Sequence, residues 1–450
     1  MKNFGSTSGL TVLAEDQSTP ANGMVAYVTS SYNSGYQNGD IKGAFLSDTD
    51  DTDLVATELV TNGTFDTDLT GWTDNSFGAG TSTQSGGELV LTTGPAGVTD
   101  RSEAYQGFAT EIGKSYLASM SVTSTVSDNC VLQVGTAPSA GNLLQISGLG
   151  VGTAVGTFVA TTTTSYFTAV GPQSAGAATI DNISVKLADA DRSVNNNGLA
   201  INGTVTRSPV ATGADLVAYS GFSSSNYLQQ PYNSDLDFGT GDFCVMGWGR
   251  TNINGTFLSR GDGVSAGSWY WRHLSGSTSP LYIHDGSAFR VALNVALPQG
   301  DFVHFALLRR SGVIYLYGNG ALMGSLSGTY PALSMSNATA KLRIGDQQHS
   351  SYSGAGEKQA LLRISATAPT AEQIAKIYND EKVLFQENAQ ATLYGSSDAV
   401  TALAHDDATN LLHVGTSAGR SVFQGLRRVE NTTTAVGTAI SASNSLVVEE

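Results

Sequence analysis

Phe302-Val303-His304-Phe305-Ala306-Leu307-Leu308-Arg309 runs through Arg310 and Ser311-Gly312 into Val313-Ile314-Tyr315-Leu316-Tyr317, and closes on Gly318-Asn319-Gly320. Two apolar runs about a Gly-containing turn read as a β-hairpin, with Phe305 and Leu307 on one face and His304 and Ala306 on the other. Upstream, Phe243-Cys244-Val245-Met246-Gly247-Trp248-Gly249-Arg250 reads as a strand. Downstream, Lys341-Leu342-Arg343-Ile344-Gly345-Asp346 and Ala360-Leu361-Leu362-Arg363-Ile364 read as two more. One helix follows. Pro369 precedes it, Thr370 can cap with Gln373 three residues on, and Ile374, Ile377 and Tyr378 make an i, i+3, i+4 face. The expectation for 189–385 is a β-sandwich with one short helix near 370–384.

This order resembles the laminin-G-like, concanavalin-A-like jelly rolls, in which a strand bearing Trp, a hairpin ending in Asn-Gly, a strand ending in Ile-Gly and a short helix follow one another. The matching residues here are Trp248, Tyr317 to Gly320, Ile344-Gly345 and Thr370 to Tyr378. Many relatives carry an Asp near the start of the penultimate strand where this chain has Ala360, which puts that family's calcium site in doubt. Asp346 and Asp285 are weaker calcium candidates.

Residues 58–188 alternate with period two through Glu88 to Thr92, Ser115 to Val122 and Cys130 to Val134, the spacing of a sandwich. They open with Leu59-Val60-Thr61-Asn62-Gly63-Thr64-Phe65 and Leu69-Thr70-Gly71-Trp72, and close with Ala178-Thr179-Ile180-Asp181-Asn182-Ile183-Ser184-Val185. An Asn-Gly-x-Phe opening, a Gly-Trp and an Ile-Asp-Asn-Ile-Ser-Val closing resemble the jelly-roll carbohydrate-binding modules. That resemblance implies a structural calcium ion near Asp181 and Asn62, since hard cations take carboxylate and amide oxygens. A turn-capping Asp181 is the competing reading.

The two ends share a texture of short strands and Asn/Gly/Asp turns. Leu10 to Ala14, Met24 to Thr29 and Ile41 to Leu46 lie in 1–57, and Ala399 to Ala404, Leu411 to Thr416 and Ser421 to Leu426 lie in 386–450. Neither end has strands enough to bury a face alone, so the two are expected to pair with each other or with neighbouring chains. The whole chain is thus expected to be all-β: tandem jelly-roll sandwiches flanked by short terminal β-modules.

Composition narrows function. Only 13% of residues are charged and 52 are glycine, so the surface is polar through Ser, Thr and Asn. The net charge of −16 argues against nucleic acid, whose phosphates need clustered Lys and Arg. Residues 1–100 carry two lysines, no arginine and thirteen acids, so the charge is concentrated there. No apolar run reaches membrane-spanning length, and Met1 to Thr7 lacks a signal-peptide pattern. Cys130 and Cys244 fall in different domains and read as core residues.

Catalytic patterns are weak. Gly263-Val264-Ser265-Ala266-Gly267 and Gly415-Thr416-Ser417-Ala418-Gly419 match the nucleophile-elbow spacing, but neither precedes a helical pattern. Arg260-Gly261-Asp262 is an ordinary turn as well as an adhesion tripeptide. Glutamates are few in 191–385 (Glu357, Glu372, Glu381), no Glu-x-Asp-x-x-Glu run exists, and the i, i+2 pair Asp235 and Asp237 lies in a segment that resembles a family turn before the first core strand. The six histidines, His273, His284, His304, His349, His405 and His413, have no zinc spacing. An enzyme is not expected.

Sugar binding needs aromatic faces beside planar polar groups. Trp269 and Trp271 share one face of a strand and Tyr270 and Arg272 the other; with His273 and Tyr282 they form the candidate carbohydrate site, a packing role being the alternative. Two glycan-type jelly rolls with terminal strand fragments resemble the bacteriophage virion structural proteins of the tail-fibre, spike or head-fibre class. The resemblance implies a virion location, adhesion to host cell-surface polysaccharide, other virion proteins as partners and a homotrimer without membrane insertion. A purely structural or decorating capsid or tail protein, and a glycan depolymerase, are the alternatives.

Overall fold

The computed structural model describes residues 9–14, 23–126, 129–348 and 358–449; His349, Glu357 and the Met1 to Thr7 segment lie outside them. The chain divides into two compact units, one of residues 1–54, 191–196 and 202–450, the other of 55–190 and 197–201. Its regular secondary structure is nearly all antiparallel strand, the fold class the alternation predicts.

In the larger unit two sheets face each other. The first runs Ala321–Leu326, Val313–Gly318, Val303–Arg310, Phe243–Gly249, Gln359–Ser365, Val217–Ser220 and Thr204–Pro209. The second runs Tyr227–Gln230, Leu342–Ile344, Gly255–Arg260, Trp269–His273, Ser279–His284 and Phe289–Val295. Between them Phe257, Trp271 and Phe305 meet with ring centroids 4.6 to 4.9 Å apart, filling the core with aromatic area. The helix forms at Ala371–Glu381 behind the expected capping box, and continues as a 3-10 turn at Lys382–Phe385. Its Ile374 and Ile377 are buried against the outer side of the first sheet, where Trp248, Ala306 and Leu308 lie in the same core.

The terminal segments join that core. Ile41–Phe45, expected in a separate N-terminal segment, is a strand of the first sheet, pairing Phe45 with Leu362 and Ala44 with Arg363. Leu10–Ala14 pairs Met24–Val28, and Val400–Asp406, Leu411–Thr416, Gly419–Gln424 and Arg427–Asn431 form a four-stranded meander. The ends meet within one chain: Leu393 N donates to Thr29 O at 2.9 Å, and Asn33 Nδ2 to Leu426 O at 3.0 Å. A buried carboxylate fixes the arrangement. Glu381 pairs Arg363 at 3.0 Å and accepts from Tyr36 N (2.9 Å) and Trp248 Nε1 (2.8 Å). Gly35 passes directly over that pair at φ +64°; a Cβ there would stand 2.4 Å from Arg363 Nη1 and 2.6 Å from Glu381 Oε1.

The smaller unit is a second sandwich. Ser115–Thr125 lies between Gly152–Val159 and Gly176–Asp189, with Glu88–Thr93 and Thr81–Ser85 beyond. The opposing sheet runs Leu144–Leu149, Cys130–Gly135, Thr164–Val170, Glu103–Ala109 and Thr73–Asp74. The opening and closing motifs meet. Ile183 N donates to Gly63 O at 2.9 Å, and a Cβ on Gly63 would stand 2.0 Å from Ile183 O, so only glycine fits. Trp72 packs on Phe65 and Phe167 and donates its indole N–H to Asn62 O at 3.0 Å. Cys130 and Cys244 are buried and not joined by a disulfide; burial pushes the Cys244 thiol up to about 12. Among the described residues no helix is long and apolar enough to cross a membrane.

Candidate functional site

Trp269–His273 alternates buried and half-buried residues. Trp269, Trp271 and His273 point into the sandwich core and are at most 1% exposed, so no surface ligand reaches them. This corrects the expected site by half: the strand's alternation was legible, but only packing against Phe257 and Phe305 decides which side faces in. Burial also lowers the His273 pKa, and its Nδ1 pairs with Ser279 Oγ at 2.8 Å.

Tyr270, Arg272 and Tyr282 face outward and half-exposed. Strand register sets Tyr270 directly opposite Tyr282, and the rings stack at 4.7 Å and 23°. Phe289 meets Tyr270 edge-on at 4.7 Å. Arg272 lies 5.2 Å above the Tyr282 ring and donates to its hydroxyl at 3.2 Å. Pairing of Tyr270 with Ser259, Ser259 with Arg343 and Arg343 with Gln229 extends the row across four strands. Arg343 stacks 4.2 Å over Tyr227, bonds Gln229 Oε1 at 3.2 Å and pairs with Asp346 at 2.8 Å. Sequence reading missed Phe289, Arg343 and Tyr227; aromatic and arginine residues at alternate positions of neighbouring strands were their signal. The result is a ridge of ring faces flanked by guanidinium, hydroxyl and amide groups. Such a surface stacks on sugar C–H faces and hydrogen-bonds paired hydroxyls.

Among the described residues the patterns singled out for catalysis take structural partners. Ser265 sits in a turn and donates to Asp262 Oδ2 at 2.7 Å. Burial alone would raise the Asp262 pKa, yet hydrogen bonds from Ser265, Val264 and Ser268 hold it well below the usual carboxylate range. Ser417 lies in the turn joining Leu411–Thr416 to Gly419–Gln424. Arg260 is 1% exposed and pairs with Asp237 at 2.8 Å, so the Arg260-Gly261-Asp262 tripeptide is not presented for adhesion. Asp237 also accepts from Tyr232 Oη at 2.8 Å, which uses the Asp235/Asp237 segment structurally.

Each calcium candidate has local hydrogen-bond partners. Asn62 Nδ2 closes its own loop through Asp68 O (2.9 Å) and Thr70 O (3.2 Å), and both Asp181 oxygens accept from Asn182 at 2.7 Å. Asp285 caps the turn at Ala288 and Ser287 and pairs with Arg290 at 2.6 Å; Asp346 is taken by Arg343. Among the described residues no group of three or more His, Cys, Asp or Glu could hold a metal ion.

The smaller unit offers a second face. A groove of about 250 Å³ on its five-stranded sheet is lined by Arg101, Gln133, Gln145 and Gln173. Arg101 pairs with the buried Glu103 at 2.8 Å and reaches Gln133 Oε1 at 3.4 Å; Gln133 Nε2 donates to Gln145 Oε1 at 3.3 Å. This chain of planar polar groups went unread because its members are far apart in sequence.

Residues 222–375 match the family model of the concanavalin A-like lectin/glucanases superfamily, Laminin_G_3. No curated protein matches the chain. Among solved structures, the receptor-binding domain of botulinum neurotoxin C/D mosaic serotype aligns at 13% identity and TM-score 0.32, over 43% of this chain and 48% of that one. The binding domain of botulinum neurotoxin DC in complex with rat synaptotagmin II aligns at 12% and 0.35, over 55% and 60%. Domain 4 of AbnA, a GH43 extracellular arabinanase from Geobacillus stearothermophilus, in complex with arabinotriose, aligns at 15% and 0.33, over 42% and 92%. This chain thus spans about half the length of the first of these structures.

Proposed function

We propose that the chain is a non-catalytic adhesin, a fibre or spike component of a bacteriophage virion that holds host cell-surface polysaccharide through its sandwich faces. The observation that carries the binding part is the outward Tyr270–Tyr282 stack with Arg272 bonded across it, on the open sheet of a concanavalin A-like sandwich. A flat ridge of this kind gives weak contacts with single sugars. Repetition in a trimer compensates, since linked sites gain avidity of about 10²–10⁴ without new contacts. The low share of charged residues, 13%, suits a particle surface. Other virion proteins complete the assembly.

A glycan array with the wild-type chain and a Tyr282→Ala variant tests the reading. Binding by the first and its loss in the second are expected; a blank array with folded wild-type protein favours a decorating or scaffold role. A fall in polysaccharide viscosity on incubation with pure protein would turn the reading to a depolymerase. Detection of the chain in purified particles tests the virion part, and its absence there overturns it.

A further inference from the structure

Away from the sandwich ridge, the N-terminal strands, the helix and the C-terminal meander enclose a cleft of about 350 Å³. Its floor is apolar: Leu412 and Phe423 are at most 5% exposed. Its walls are polar and lean cationic in a chain of net charge −16. On the helix side Lys376 pairs with Asp380 at 2.7 Å and lies 5.8 Å from the Tyr36 ring centre. Tyr36 is 3% exposed, and burial followed by the charge and hydrogen bond of Asp380 raises its pKa. On the meander side His405 is held by Asp407 Oδ1 at 2.8 Å and Asn410 Oδ1 at 3.2 Å. Arg427 differs from its neighbours. Among the described residues it bonds the neutral Gln386 Oε1 at 3.3 Å, and its buried Nε has no hydrogen-bond partner.

We infer that this cleft binds a hydroxylated carboxylate of monosaccharide size, a hexuronate, with Arg427 taking the carboxylate. A guanidinium without a carboxylate partner supplies a planar fork for one. The Lys376–Asp380 pair and the His405 side chain supply donors and acceptors for hydroxyls, and the half-exposed Val383 beside the edge of Leu412 gives the ring an apolar wall. The volume lies at the lower end of small-ligand sites, about 300–1,000 Å³, which suits one sugar ring. This site is independent of the Tyr270–Tyr282 ridge and stands or falls separately.

Titration calorimetry on the full chain with D-glucuronate, D-glucose and acetate tests it. Glucuronate should bind, and both glucose, lacking the carboxylate, and acetate, lacking the ring, should bind at least about tenfold more weakly. Arg427→Gln should weaken glucuronate by about tenfold or more, while Lys341→Gln, which removes a charge elsewhere, should not. Equal affinities for the three probes, no binding, or wild-type affinity in Arg427→Gln overturns the assignment. Should Arg427→Gln fail to fold, the wild type still decides. Glucuronate should shift the imidazole resonances of His405 and leave those of the core residue His273 in place; the reverse, or no shift, overturns it.

Discussion

The larger sandwich has two outer faces, and they have been treated differently. The outer side of the first sheet is covered: Phe243–Gly249 and Gln359–Ser365 are buried at every position, because the helix and both terminal segments lie over Trp248, Ala306 and Leu308. The outer side of the second sheet is open in part: Trp269–His273 and Leu342–Ile344 alternate buried with half-buried residues, while Gly255–Arg260 between them is buried at every position. Covering a face commits its polar groups to fixed internal partners, as Glu381 has. Leaving a face open keeps Tyr270, Arg272 and Tyr282 available to a ligand. The difference separates residues committed to the fold from those that the proposed binding role would use.

The sharpest way to break the covered face is Glu381→Ala. It leaves Arg363, 3% exposed, without its carboxylate and strips acceptors from Tyr36 N and Trp248 Nε1. Removing one member of a buried pair costs about 3–5 kcal/mol. Urea unfolding should show that loss, and a change below about 1 kcal/mol would mean that the pair does not anchor the N-terminal segment.

How far this division was legible can be argued from single residues. Both sandwiches were readable because period-two alternation and Gly/Asn turns are local, and the Thr370–Gln373 capping box placed the helix correctly. The hairpin Ile440–Ser443 with Leu446–Glu449 was missed although its turn signal exists: Asn444 and Ser445 both take positive φ, as a two-residue hairpin turn requires. Ile41–Phe45 was misplaced because its partner, Gln359–Ser365, lies more than three hundred residues away. The ridge was half legible. Alternation separated Trp269 and Trp271 from Tyr270 and Arg272, but no local signal says which set meets a second sheet. Glu381 read only as a helix carboxylate, since its partners come from three distant segments.

A second break of the covered face is acid. His304 is buried, sits 5.3 Å from Trp248 and 6.0 Å from Tyr378, and neither ring nitrogen has a hydrogen-bond partner among the described residues. Burial first, and then the charge of Arg363, lowers its pKa well below 6.5. The unfolded chain therefore binds a proton near its ordinary pKa that the folded chain refuses. Stability is level above about pH 6.5 and falls below it, by up to about 1.4 kcal/mol per pH unit for this one group. His304→Leu should flatten that part of the profile relative to wild type; parallel profiles between pH 5 and 7 would show that another group sets it.

The smallest effect on stability belongs to the open face, and there it separates from the effect on binding. Arg272 is half-exposed, reaches Tyr282 Oη at 3.2 Å and lies above that ring, so Arg272→Lys keeps the charge but loses the planar fork and the ring stacking. Unfolding free energy should move by no more than about 0.5 kcal/mol, the range of surface substitutions. Glycan retention on the array should nevertheless fall, because a lysine ammonium cannot address two adjacent hydroxyls from one plane. A variant that loses stability and keeps binding would reverse the roles assigned to the two faces. The Tyr270–Tyr282 stack would then be a packing element like the Trp248 cluster, and the ligand contact would lie elsewhere on the chain.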